Sequence, residues 1–361
     1  MRMLAMLLLL LAGGAVAQSA AYRVETVAEN LEHPWSLAFL PDGSMLVTER
    51  AGRLRVIENG ALRAAPVEGV PETWSEMQSG LFEVLLDPQF ASNRTLYLSF
   101  THGPREANST RVVRARFDGQ RLTDVQPIFT ATPMDTNVHY GGRMLFLPDG
   151  SIVMGLGDGF YFREQAQELS NHLGTIVRFN PDGSVPQDNP FVGTPGALPE
   201  IYSYGNRHVQ GLLLRGGRLY AHEHGPRGGD EINLILPGRN YGWPVITYGI
   251  DYGFGTLTPF TEMAGMEQPL VMWKPSIAPG GMVLYEADLF PQWRGSVFVA
   301  ALAEESVRRV VMHDDGSFGE QEALFLELGW RMRYVRVGPE GALYLLTDHE
   351  DGRVLRVVPD R

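Results

Sequence analysis

Short apolar runs alternate along this chain with turns built on proline, aspartate and glycine, and no long stretch repeats its apolar residues at helical spacing. The clearest unit, LAFLPDGSMLVTERAGRLRVI over 37–57, reads as strand, Pro-Asp-Gly turn, strand, charged turn, strand. MLFLPDGSIVMGLGDG (144–159) and VRVGPEGALYLLTDHEDGRVLRVV (335–358) repeat it. Weaker copies are VLLDPQFASNRTLYLSF (84–100), LLLRGGRLYAHEHG (212–225) and VLYEADLFPQWRGSVFVAAL (283–302). Six evenly spread units of short strands predict an all-β, six-bladed β-propeller with four-stranded blades, with a β-sandwich as the alternative. The repeat of about 57 residues exceeds that of common propellers, so the excess is expected in loops at 160–200 and 245–280. Residues 180–199 read as an excursion between strands, not a linker, and the chain as one domain.

The first residues break this pattern. Arg2, an apolar run too short for a membrane span, and Ala15-Val16-Ala17 read as a secretory leader over 1–17, with 18–361 as the propeller. A periplasmic or secreted protein, cleaved near Ala17 and lacking a membrane span, is the expectation. Losing Arg2 with the leader takes the formal charge from −12 to −13. That balance argues against nucleic acid or anionic membrane as a partner. With no cysteine, an exported chain of this length relies on its apolar core rather than on disulfides.

Four polar clusters interrupt the strand pattern. In NVHYGGR (137–143), His139 stands before a double glycine, placed either as a general base or as a hydrogen-bonded turn histidine. In YSYGNRHVQG (202–211), Arg207 follows a Gly-Asn turn and suits either an anionic or carbonyl group or a surface ion pair. In HEHGPRGGDEINLILPGRNYGW (222–243), the glycines, Asp230 and Glu231 suit either a calcium site or a tight acidic turn; the spacing does not match an EF-hand. In RMR (331–333), two arginines share one strand face, which favours an anion between them over an exposed charged strand.

On HEHGPRGGDEIN, NYGWP and GNRHVQG, the chain resembles the soluble pyrroloquinoline quinone (PQQ) dependent sugar dehydrogenases, especially the aldose sugar dehydrogenase branch. The likeness runs from HPWSLAFLPDG to LYLLTDHEDGRVLRV. It implies a six-bladed propeller that binds PQQ and Ca2+ and oxidises aldoses at C1 to lactones. It places His139 at the catalytic base, Asp158 behind it, and Arg207 against the quinone carbonyl. Gln78, His208, Tyr252, Arg331 and Arg333 fall among its cofactor contacts. The carbonyls of Gly225 and Pro226 match ligands of the cofactor calcium, and Glu231 with the Tyr241 carbonyl matches a second, structural calcium. Two positions depart from the family pattern: Ala303, followed by Glu304 and Glu305, replaces a usual lysine, and His208 replaces a frequent asparagine. Lys274, the only lysine, is one candidate to compensate. Without a CxxCH haem motif, electrons are expected to leave to a separate quinone or cytochrome. A calcium-dependent propeller hydrolase such as a lactonase, and a non-catalytic sugar- or protein-binding propeller, are the other readings.

Overall fold

The computed structural model describes residues 21–360; the leader read over 1–17 lies outside the described residues. The chain opens with β1 (Tyr22–Leu31) and then lays down five complete sheets. The first blade holds β2 (Pro34–Phe39), β3 (Met45–Glu49), β4 (Arg53–Glu58) and β5 (Ala61–Leu62). The second holds β6 (Leu81–Leu86), β7 (Thr95–His102), β8 (Ser109–Phe117) and β9 (Leu122–Thr130). The third holds β10 (Gly141–Phe146), β11 (Ile152–Leu156), β12 (Thr175–Phe179) and β13 (Ile201–Tyr204). The fourth holds β14 (Val209–Arg215), β15 (Arg218–Glu223), β16 (Asp230–Ile235) and β17 (Val271–Trp273). The fifth holds β18 (Pro279–Tyr285), β19 (Ser296–Ala301), β20 (Ser306–Met312) and β21 (Phe318–Leu324). β22 (Met332–Val337), β23 (Leu343–Thr347) and β24 (Gly352–Pro359) form the sixth, whose outer strand is β1. Tyr22 to Leu31 pair antiparallel with Pro359 to Gly352, so the two ends of the chain close the ring in one sheet. Each repeat unit read from the sequence covers the first two strands of a different blade.

The turns explain why the strands reverse where they do. In Asp42-Gly43-Ser44 and Asp149-Gly150-Ser151, the aspartate Oδ1 accepts the serine N–H at 3.0 and 2.8 Å. It also accepts the serine hydroxyl at 2.6 Å in both. The glycine between sits at φ +87° or +85°, a conformation L side chains rarely adopt. Between the blades, apolar faces meet in clusters such as Tyr285, Phe290, Trp293, Phe298, Val335 and Leu345, all at most 1% exposed. Each such side chain contributes about 1.5–3 kcal/mol by leaving water.

One irregularity positions the site. The innermost strands β2, β6, β10, β14, β18 and β22 all carry a register shift at their start against the second strand. A bulge re-aims side chains and ends pairing. The residues just ahead of these shifts, including Gln78, His139, Arg207, Ala278 and Arg331, therefore gather at one end of the propeller axis. Among the described residues no helix is long and apolar enough to cross a membrane.

Candidate active site

His139 enters the site in the left-handed region, φ +57°. Its N–H donates to Gln78 Oε1 at 2.9 Å, tying the second blade to the third. Gly157 lies flat against its carbonyl; a Cβ there would come 2.0 Å from that oxygen. Behind the ring, Nδ1 lies 2.7 Å from Asp158 Oδ1, which also accepts the Phe160 N–H at 2.8 Å. Trp243 Nε1 donates to Asp158 Oδ2 at 2.7 Å. Burial alone would raise the Asp158 carboxyl, but His139, Arg207 and the Phe160 N–H hold it below the usual carboxylate range. Burial, then the Arg207 charge, push His139 below its ordinary value against the pull of Asp158. A carboxylate on Nδ1 requires the proton there, leaving Nε2 with the lone pair of a base.

Arg207, 4% exposed, is clamped beside this pair. Its Nη1 donates to the carbonyls of His224 at 3.1 Å and Gly225 at 2.8 Å, and its Nη2 to the Tyr252 hydroxyl at 3.3 Å. The Trp243 ring lies 5.2 Å from the guanidinium. Glu223 fixes the turn below, accepting the Arg207 N–H at 2.5 Å and Asn206 Nδ2 at 2.8 Å.

Next to these groups opens a cavity of about 590 Å3 lined by Gln78, His208, Gln210, Tyr252, Arg331, Arg333, Arg50 and Asp348 among others. Arg331 and Arg333 both line this cavity, although Arg331 precedes β22 and the register shifts at Arg333, and the anion between them is partly the protein's own. Asp348 Oδ2 is 2.8 Å from Arg333 and 3.9 Å from Arg331; its Oδ1 is 4.0 Å from Arg50 and 2.9 Å from His33 Nδ1. Burial would raise the Asp348 carboxyl; Arg333, His33 and Arg50 hold it far below the usual range. Three guanidiniums against one carboxylate leave the cavity positive. Arg333 Nε, His208 Nδ1 and His224 Nε2 are buried with no hydrogen-bond partner among the described residues.

The fourth-blade loop carries the remaining candidates. Asp230 is a peg: Oδ1 accepts the Gly225 N–H at 2.9 Å, and Oδ2 accepts Ser276 Oγ, the Ile277 N–H and the Ala278 N–H at 2.7, 2.7 and 2.9 Å. Glu231 instead faces inward, sharing Asn233 Nδ2 with Glu223 at 3.2 Å each. Burial and then Glu223 push the Glu231 carboxyl up to about 8; burial pushes Glu223 up to about 7. A void of about 20 Å3 lies among Glu223, Gly225, Glu231, Tyr241 and Thr247. Among the described residues no three acidic or histidine side chains gather as a metal cluster, so carbonyl oxygens would have to complete any cation site here. Pro226 lines a separate cleft with Arg207, Trp243 and Tyr252.

Lys274 does not compensate at the cavity: its ammonium donates to the Tyr248 carbonyl at 3.2 Å and its stem packs on Gly228. Glu304 is engaged by Arg308 and Ser306. Arg50, Gln210, Glu223, Trp243 and Asp348 belong to the site without standing out in the sequence. A signal existed for two of them: acids stand at or within two residues of the end of the second strand in several blades, as Glu49, Asp158, Glu223 and Asp348 do.

The description glucose/sorbosone dehydrogenase belongs to a family model that matches residues 31–356. The chain belongs to this family. It is 41% identical to the Escherichia coli aldose sugar dehydrogenase YliI over 98% of this chain and 97% of that protein. The apo crystal structure of the E. coli aldose sugar dehydrogenase superposes with a TM-score of 0.91 at 39% identity, covering 94% of this chain and all of the other. The PQQ-bound aldose sugar dehydrogenase of Streptomyces coelicolor does so with a TM-score of 0.77 at 31% identity, over 94% and 99% of the two chains. The family's fold is thus the six-bladed propeller described above, and its sugar dehydrogenases give the cavity a chemical context.

Proposed function

We propose that this protein is an exported quinoprotein that oxidises aldoses at C1 to lactones, with PQQ and Ca2+ as cofactors. The observation that carries the reading is the buried His139–Asp158 pair, with Arg207 clamped beside it and a positive cavity adjoining. The cavity suits a tricarboxylate: it is net positive and keeps an unpartnered Arg333 Nε. Arg331 and Arg333 would hold its carboxylates, and Gln78, His208 and Tyr252 would line it. When bound, PQQ supplies the hydride acceptor and electron sink.

The chain's own residues do the rest. His139 Nε2 takes the proton of the C1 hydroxyl, and Asp158 stabilises the imidazolium that results. The lowered affinity of His139 for protons keeps it in its basic form at neutral pH and lets it discharge afterwards. Arg207, already fixed by three acceptors, donates to negative charge that grows on an oxygen nearby without reorganising. The carbonyls of Gly225 and Pro226 would serve the cofactor calcium; the Gly225 oxygen, which accepts from Arg207, keeps a second lone pair. Glu231, with the Tyr241 carbonyl, would hold a second calcium. Burial opposes the ionisation of these two carboxylates, and a small hard cation would favour it. Electrons would then pass to a separate quinone or cytochrome.

The test is reconstitution. Purified apo-protein with PQQ and Ca2+ is expected to reduce an artificial acceptor when given a panel of aldoses. An absence both of turnover and of any absorbance change of bound quinone would sink the proposal.

A further inference from the structure

The imidazole of His139 is not alone. His208 stacks on it, ring centroids 4.6 Å apart and planes within 8°, and Phe160 meets His139 edge-on at 5.2 Å. His208 is 3% exposed, so which of its nitrogens carries a proton depends on its protein neighbours. Those neighbours fix the answer in sequence. Arg333 Nη1 lies 2.8 Å from Gln210 Oε1, and a guanidinium can only donate. The oxygen of the Gln210 amide is thereby turned towards Arg333 and its NH2 towards His208, 2.7 Å from Nε2. An amide NH2 also only donates, so His208 Nε2 has to be the lone-pair nitrogen, with the proton on Nδ1. A second proton on His208 would set N–H against N–H.

We propose that Arg333, Gln210 and His208 form a relay that locks His208 as the neutral Nδ1–H tautomer, so that of the two stacked rings only His139 can accept a proton. Gln210 and His208 are then positioning residues for the base; this role in catalysis rests on the reading of His139 given above. The groups facing the stacked rings agree with it. Burial, then His139, His224, whose ring is 5.3 Å from His208, Arg207 and Arg333, all oppose a charge on His208. Among the described residues the one carboxylate at the stack, Asp158, is hydrogen-bonded to His139. If both rings shared the proton, the base would be divided between a nitrogen that faces Asp158 and one that does not. The relay also joins two functions: Arg333 pairs with Asp348 in the cavity at 2.8 Å and reaches the base ring through one amide and one imidazole.

The experiment is nitrogen NMR of the full apo-protein carrying 15N-histidine, titrated from pH 5 to 9, with the nine histidine signals assigned by single substitutions. In the wild type, His208 is expected as the neutral Nδ1–H tautomer throughout, with no titration. Gln210→Glu presents a carboxylate oxygen to Nε2 while still pairing with Arg333. It is expected to move the proton to Nε2 and bring the titration of His208 up to about 6.5 or above. In protein reconstituted with PQQ and Ca2+, the same variant is expected to add an acidic limb to the pH profile of sugar oxidation that coincides with this titration. A wild-type His208 protonated on Nε2, or titrating in the range, overturns the relay whether or not the variant folds. An unchanged His208 in a folded Gln210→Glu protein does so too, as does a profile without the new limb. A wild type that never oxidises sugars, with the tautomer as described, overturns the proposed function and leaves the lock on His208 standing.

Discussion

Asp158 and Glu223 stand in similar places in successive blades, two residues past the second strand in one and at its last residue in the other, and both are buried. Their electrostatics are opposite. Asp158 accepts from an imidazole, an indole and a backbone N–H, and stays a carboxylate. Glu223 shares its surroundings with Glu231, and burial drives both toward the protonated form. The first corner is complete as it stands, with a base oriented by an acid. The second is short of positive charge, as a cation site is before it is filled. Similar positions in the fold thus serve proton transfer in the third blade and, on this reading, metal binding in the fourth.

The largest expected effect breaks the first corner. His139→Gln is expected to lower kcat by about 10²–10⁴-fold while leaving the affinity for PQQ within a few-fold of wild type; steady-state rates and a quinone titration separate the two. Asp158→Asn removes the partner that raises the proton affinity of His139. It is expected to cost about 10²-fold in kcat and to move the acidic limb of the pH profile downward.

Next is the cavity. Arg333→Ala is expected to weaken PQQ binding by about 10–100-fold, corresponding to one charge-assisted hydrogen bond of about 1.5–3 kcal/mol, as read by a binding titration on apo-protein.

The second corner is sharpened by pH and calcium. Burial and then Glu223 push the Glu231 carboxyl from an ordinary 4.5 up to about 8, so the folded state binds more protons than the unfolded between those values. Stability of the calcium-free protein is therefore full below about pH 4.5 as far as this group is concerned, and declines as pH rises toward 8. Calcium is expected to remove that decline and to add about 2.7 kcal/mol at a hundredfold excess over its Kd. Glu231→Gln is expected to lose the calcium response and its own part of the decline, leaving the part due to Glu223; thermal melts across pH with and without chelator read this out. The smallest effect is Lys274→Ala, expected to leave PQQ affinity unchanged because that ammonium lies on the Tyr248 carbonyl.

The blade count was legible because a turn read from the sequence sits between the first two strands of every blade, with a glycine at positive φ in five of them and Arg94 at φ +57° in the second. The closing of the ring by β1 was not, because its alternation is weak and its partner lies at the far end of the chain. His139, Arg207, Arg331 and Arg333 stood out as polar residues at the entry to innermost strands. Asp348 did not, since a carboxylate that neutralises distant arginines has no spacing relation to them. Gln210 was hidden likewise: its role depends on which way an amide points, and that is set by Arg333, remote in sequence. Glu231 was singled out beside Asp230, and only the fold separates the peg from the inward-facing carboxylate.

The central claim is that His139 takes a proton from the sugar as hydride leaves C1. Single-turnover reduction of the PQQ-loaded protein by an aldose deuterated at C1, followed by quinone absorbance, tests it most directly. The account predicts a several-fold slower reduction than with the undeuterated sugar, and near-complete loss of the signal in His139→Gln. Equal rates for the two sugars, or an undiminished signal in that variant, would contradict it.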